Sequence, residues 1–288
     1  MKNNSIDFFS HFSEVYGSRW EALLNSLQSD DLDKVARCCR VESIDFLWKL
    51  SEKYTSKAQL EIRDQAGLKK FYIMDQASII PPLLLNVFKG DNVLDMCAAP
   101  GGKTLLLAEA LQGSGLLWAN EISKARRVKL KNVIKEYCPS NWRENIFIKG
   151  KNGIRYGMMH PGFFDKILVD APCSGEKYLI NDKKELQKWS LKRTKRLAKQ
   201  QYALLCSAML SLKVGGRIVY STCSISPEEN DKVISRFLDK KGKNVELISP
   251  DFTEIPILPE KTTNGYIYLP DKSKIGPMYM SVMEKKCH

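Results

Sequence analysis

Apolar residues recur at two different spacings along this chain, and the change between them divides it. In the stretch from residue 5 to about 50, Phe8, Phe9, Phe12, Tyr16, Trp20, Leu23, Leu24 and Leu27 fall mostly three or four positions apart. That spacing gathers them on one face of a helix and predicts a small helical region ending in the polar stretch SEKYTSKAQ. From Phe71 onward, short apolar runs alternate with amphipathic segments, the pattern of βαβ units around a parallel sheet. The runs are NVLDM (92–96), GLLWAN (115–120), NIFIK (145–149), DKILVD (165–170) and GRIVYS (216–221). Helices are predicted over 102–112, 123–137, 197–212 and 227–239, with Gly215 and Gly216 marking the exit of the third. VELI (245–248) and PMYMSVM (277–283) extend the sheet at its edge.

The fold class that fits is α/β: a doubly wound, mostly parallel sheet with helices on both faces. A small N-terminal helical region (1–70) precedes the α/β domain (71–288). In such sheets ligands sit beyond the carboxyl ends of the strands. Two cysteines lie there, Cys173 in ILVDAPCSG and Cys223 in RIVYSTCSISPEEN.

Composition narrows the chemistry. A net charge of +12 points to a polyanionic partner, nucleic acid or an anionic membrane surface. ASIIPPLLLNVF, the longest apolar stretch, is too short for a span and carries two prolines, so no membrane span is expected. The N-terminus lacks the pattern of a secretory signal or transit peptide, which predicts a cytoplasmic protein, or a mitochondrial one if the chain is a processed form. Eight cysteines with no C-x-x-C pair, and three histidines without ligand spacing, argue against a metal site and for free thiols in a reducing compartment.

The segment VLDMCAAPGGKT (93–104) reads as strand, small-residue turn and helix, with the first-turn amides free to face a ligand. A phosphate-binding P-loop would need glycine where Cys97 stands, and the G-x-G-x-x-G fingerprint is absent. Glu121, at the end of the next strand, is placed to accept both ribose hydroxyls of an adenosine. An adenosine ligand without a phosphate cradle predicts S-adenosylmethionine and a methyltransferase of the class I, Rossmann-like type.

DMCAAPGGKT, VDAPCSG and YSTCSISPEEN, in this order, resemble the signature blocks of the Sun/RsmB (Fmu/Nop/Sun) family of RNA cytosine-5 methyltransferases. The resemblance runs from about YIMDQASIIPPLLL (72–85) to GPMYMSVMEKK (276–286), and the compact GPMY ending is similar to short members, mitochondrial ones included. It implies that residues 71–288 form an S-adenosylmethionine-dependent catalytic domain. It places the cofactor loop on Cys97, Ala98, Ala99, Pro100, Gly101, Gly102 and Lys103, with Glu121 as the ribose-binding acid, Arg126 as a nearby contact and Asp170 near the methionine part and the target base. The family's adenine-binding acid falls on Asn152, whose amide oxygen still accepts a hydrogen bond without the charge.

Cytosine C5 is a poor nucleophile until a thiolate adds at C6, which explains a cysteine beside a methyl donor. The resemblance makes Cys223 that nucleophile and gives Cys173 a part in product release. Asp170 is then the group that hydrogen-bonds the base, and Lys103 helps to hold base and cofactor. The remaining cysteines, Cys38, Cys39, Cys138, Cys206 and Cys287, read as small buried hydrophobes. Between Lys177 and Lys199 nine Lys/Arg and two acids interleave with Tyr178 and Trp189, a candidate phosphate-holding segment, and Lys124 to Lys135 reads as an exposed basic helix face.

The expected partner is RNA, ribosomal first and transfer RNA second, bound as an unstacked cytosine. The chain is expected to be a monomer, and the lack of a recognisable RNA-binding module leaves room for a protein that confers specificity. Two other readings stay open: an idle RNA-binding or ribosome-assembly factor that keeps the fold, and a methyltransferase for proteins or small molecules, which would not need paired cysteines.

Overall fold

The computed structural model describes residues 7–29, 34–40, 52–53 and 57–286. Five parallel strands make its centre: β4 (Asn92–Asp95), β5 (Leu116–Asn120), β6 (Ile146–Lys149), β7 (Phe164–Asp170) and β8 (Leu212–Thr222). Successive residues of these strands enter different cores, as the pleat requires. Leu94, Ile167, Val169, Ile218 and Tyr220 pack toward the helices Leu191–Ser211 and Asp231–Lys241. Val93, Leu117, Leu168 and Val219 pack with residues of the helices Gly102–Leu111 and Lys124–Tyr137. A sheet buried on both faces follows, in agreement with the α/β reading.

In space the central strands run β6-β5-β4-β7-β8. The chain winds outward from β4 through β5 to β6, then returns to the other side of β4 as β7. The crevice between β4 and β7 is therefore the point where strand order reverses, the place where such sheets bind ligands. Strand β12 (Met278–Lys285) closes β8 antiparallel, with Tyr279 opposite Thr222 and Glu284 opposite Arg217. On its outer side β12 holds β9 (Val245–Ile248) and β11 (Tyr266–Tyr268), and β11 holds β10 (Glu260–Lys261).

The N-terminal segment differs in part from the helical expectation. Helices Phe8–Tyr16 and Trp20–Gln28 form where the periodicity placed them, the first capped by Asp7. Ser29 then turns extended, and Lys34–Cys38 is a strand, β1, between β2 (Glu52–Lys53) and β3 (Phe71–Asp75). The helical spacing stops at Leu27, and pairing of β1 with distant β3 decides its conformation where local pattern is silent. Residues 41–50, read as part of the helical region, lie outside the described residues, as does Cys287.

Phe8, Phe12, Trp20, Leu23 and Leu27 join the same core cluster as Leu179, Ile180 and Trp189. Trp189 packs edge-on to Phe8 at 5.3 Å and is buried, so this ring is not available to stack on RNA. Tyr16 donates its hydroxyl to Ile225 O at 2.6 Å, two residues beyond Cys223. The N-terminal helices thus buttress the loop that carries one of the thiols.

The long basic helix starts at Leu191, with Ser190 as its cap, six residues earlier than the pattern predicts, and runs directly into β8. Among the described residues no helix is long and apolar enough to cross a membrane.

Candidate active site

Strand β4 delivers the glycine loop. Met96 N donates to Leu168 O (3.0 Å) and Ala98 N to Asn120 O (2.8 Å), fastening the loop to the ends of β7 and β5. Asn120 Nδ2 donates to Met96 O (3.1 Å) and Lys151 O (3.0 Å), so one buried amide ties three strand exits together. Gly101 turns the chain at φ +124°, a conformation that side chains resist, and a Cβ there would stand 2.9 Å from Val133 Cγ1. Thr104 donates to Asp95 Oδ2 at 2.7 Å and so locks the first helical turn onto the strand. Burial pushes the Asp95 carboxyl up to about 7, and among the described residues its Oδ1 has no partner.

Beside the loop a cleft of about 80 Å³ is lined by Cys97, Glu121, Arg126, Asn152, Met96 and Ile122, and reaches Pro172, the neighbour of Cys173. Four of the expected cofactor residues meet here: Cys97, Glu121, Arg126 and Asn152. Glu121 is buried, takes the Ser123 N–H at 2.8 Å on Oε1, and pairs with Arg126 Nη1 at 2.9 Å through Oε2. Arg126 also donates to Ala99 O, bridging the acid and the glycine loop. Asn152 Oδ1 accepts from Ile154 N at 3.1 Å and keeps a second lone pair for a ligand. Ala98, Ala99, Gly101 and Gly102 form the loop wall outside this lining; Pro100 is exposed. The donor set suits an adenosine: a carboxylate for vicinal hydroxyls, an amide for a base edge, and the apolar Met96, Ile122 and Leu204 for a ring. A larger cleft, about 490 Å³, lies around Leu84, Arg217 and Asp251, and none of the expected site residues lines it.

Asp170 ends β7 and accepts from Lys103 Nζ at 2.8 Å and from Ser221 Oγ at 2.8 Å. The pairing keeps the Lys103 side chain largely out of solvent. Burial works against its charge, but the pairing with Asp170 wins and raises its pKa; it is also within electrostatic reach of Cys223.

Beyond these strand ends the two cysteines converge. Cys173 Sγ and Cys223 Sγ lie 2.9 Å apart, though 50 positions separate them in the chain. Gly175, in the left-handed region at φ +63°, turns the Cys173 loop back so closely that a Cβ there would be 3.8 Å from Cys223 Sγ. The hydrogen bond to Cys223 and burial push the Cys173 thiol well above its ordinary value. Cys38, Cys39 and Cys138 are buried as expected, whereas Cys206 is only partly so. Among the described residues no His/Cys/Asp/Glu group could hold a metal.

The motif reading passed over one set of residues. The buried Glu176, Glu229, Ser224 and Gln201 and the half-buried Ser174 form a hydrogen-bonded cluster behind the thiols. Only the PEEN segment pointed toward it, and there Glu229 looks like an ordinary helix-start acid.

The family model described as 16S rRNA methyltransferase RsmB/F matches residues 82–284. A mitochondrial tRNA (cytosine(34)-C(5))-methyltransferase of Danio rerio is 36% identical over 230 residues, covering 76% of this chain and 61% of that protein. The 5-cytosine rRNA methyltransferase NSUN4 of Bos taurus is 33% identical over 232 residues, 75% of this chain and 60% of that protein. The chain thus spans about three fifths of the length of these curated relatives. A solved methyltransferase homologue from Pyrococcus horikoshii superposes with a TM-score of 0.75 at 24% identity, covering 96% of this chain and 95% of that one, which speaks for the fold.

Proposed function

We propose that this chain, which belongs to the RsmB/F family of 16S rRNA methyltransferases, methylates C5 of a cytosine in RNA with S-adenosylmethionine as donor. The observation that carries this reading is the pair of thiols 2.9 Å apart beside the cleft of the glycine loop. A methyltransferase acting on an amine or a hydroxyl needs no sulfur nucleophile; one that activates C5 of a pyrimidine does.

Cys97, Glu121, Arg126 and Asn152 would hold the adenosine end of the donor, with Asp170 and Lys103 toward the reacting end. When bound, the donor would supply an electrophilic methyl group to C5. The Cys223 thiolate adds to C6 and raises the electron density at C5. Asp170, held by Lys103 and Ser221, presents a hydrogen-bonding edge to the base. After transfer the C5 proton leaves, the sulfur–C6 bond breaks, and Cys173 assists that release.

Ribosomal RNA is the first substrate class, in line with the family description. Transfer RNA is the second reading, favoured by the relatives named as mitochondrial tRNA methyltransferases. Those names also make the mitochondrion a location to set against the cytoplasm, and cell fractionation separates the two. The deciding experiment incubates the chain with ribosomal and transfer RNA and maps methylation by bisulfite sequencing. Wild type is expected to modify a single RNA class, Cys223→Ala to modify none, and Cys173→Ala to accumulate a protein–RNA adduct stable to denaturation. A Cys223→Ala chain with full activity overturns the scheme.

A further inference from the structure

Two carboxylates that this scheme does not use lie behind the thiols. Glu176 and Glu229 are both fully buried, and among the described residues the partners that hold them are hydroxyls, amides and backbone rather than cations. Glu229 grips the backbone on both sides of Cys173. Its Oε2 accepts from Ser174 N at 3.1 Å and from Gln201 Nε2 at 2.7 Å, and the same Gln201 amide donates to Pro172 O at 2.9 Å. Glu176 grips the other loop, accepting from Ser224 Oγ and from Ile225 N, each at 3.1 Å. Ser174 Oγ is hydrogen-bonded to both acids.

Burying two like charges together is costly, and amides would make most of the same bonds. What an amide cannot supply is negative charge beside Cys173. Resting on the methyl-transfer reading above, we infer that Glu176 and Glu229 are positioning residues that keep the Cys173 sulfur protonated, so that this thiol returns a proton to the Cys223 sulfur as it leaves cytosine C6. In that step the C5 proton passes to water and its bonding pair restores the C5–C6 double bond. The pair of the sulfur–C6 bond returns to Cys223, which takes the Cys173 proton, and water reprotonates Cys173.

The surroundings agree. Burial pushes Glu176 up to about 7, with the Glu229 charge adding to the effect, and burial raises Glu229 as well. Above about pH 7 Glu176 carries its charge, next to the Glu229 carboxyl. The Cys173 thiol is raised by its hydrogen bond to Cys223, by burial, and by the charges of Cys223, Glu229 and Glu176. Among the described residues Lys103, Tyr178 and Tyr220 also interact with the two sulfurs. Lys103 acts on Cys223 and is paired with Asp170, and both tyrosines are raised above their ordinary value, the buried Tyr220 most strongly.

The test is site-resolved alkylation of the full chain by iodoacetamide from about pH 7 to about pH 10, with initial rates at each cysteine read by mass spectrometry. It requires neither RNA nor cofactor. Glu229→Gln is expected to move the Cys173 profile down by about one pH unit, a rise of about tenfold at pH near 8. The double variant Glu176→Gln/Glu229→Gln should move it further, and Glu229→Asp, which keeps the charge, should restore the slow profile. With RNA and S-adenosylmethionine the double variant should accumulate the covalent adduct, as Cys173→Ala does. Should Glu229→Gln fail to fold, Glu176→Gln removes one charge from the other loop and makes the same comparison. A Cys173 profile that stays put in the folded Gln variants, or that moves alike with Gln and Asp, overturns the inference. If no chain, wild type included, forms an adduct, the methyl-transfer reading fails while the alkylation profiles still decide the role of the acids.

Discussion

Glu176 binds its proton more firmly in the folded chain, near pH 7, than at its ordinary value of 4.5. Folding therefore gains from this group below about pH 4.5 and loses that gain as pH rises toward 7. Asp95, pushed from 3.8 to about 7 by burial, acts in the same direction. Stability should fall between about pH 4 and pH 7, and Glu176→Gln should flatten the fall by up to about 3 kcal/mol. Melting temperatures of wild type and variant at both ends of that range measure it; parallel curves would contradict it. Single residues also differ in how far sequence betrays them. Cys173 and Cys223 stand where an α/β sheet opens to ligands, so order along the chain suffices to single them out. Glu176 and Glu229 sit in a basic stretch and at a helix start, where acids are ordinarily solvated, and only the folding of the two loops onto each other buries them.

Among the elements, the glycine loop makes the sharpest demand on its residues. Gly101→Ala forces a Cβ into a backbone conformation of φ +124° and against Val133. The substitution should cost roughly 1–3 kcal/mol. It should also weaken S-adenosylmethionine binding, because the loop that Arg126 fastens to Glu121 is displaced. Calorimetry and thermal melting check the two effects separately, and unchanged binding would detach the loop from the cofactor. The strands β4, β5, β7 and β8 were legible because buried parallel strands are short apolar runs between turn signals. Strand β1 was not: Lys34–Cys38 becomes a strand only because β3, more than thirty residues later, lies alongside it. The start of the long helix at Leu191 was hidden too, since its first two turns are mostly basic and only Ser190 marks the cap.

For the whole molecule, charge is the property with the longest reach. Lys192, Lys195, Arg196 and Lys199 are exposed along one side of the long helix, and the helix Lys124–Tyr137 exposes Lys124, Arg126, Lys129, Lys131 and Lys135. If the first group meets phosphates, changing all four to Gln should weaken RNA binding in all sequences alike. It should also flatten the plot of log affinity against log salt by up to about 3. Filter binding at several salt concentrations reads the slope, and an unaltered slope would place the RNA elsewhere. A different consequence follows from the antiparallel strand that closes β8. The strand leading to Cys223 has its second neighbour only in residues 278–285, so a nascent chain that has emerged as far as β11 still shows a bare hydrogen-bonding edge. A translation product interrupted before β12 would therefore carry a sticky border beside the two cysteines.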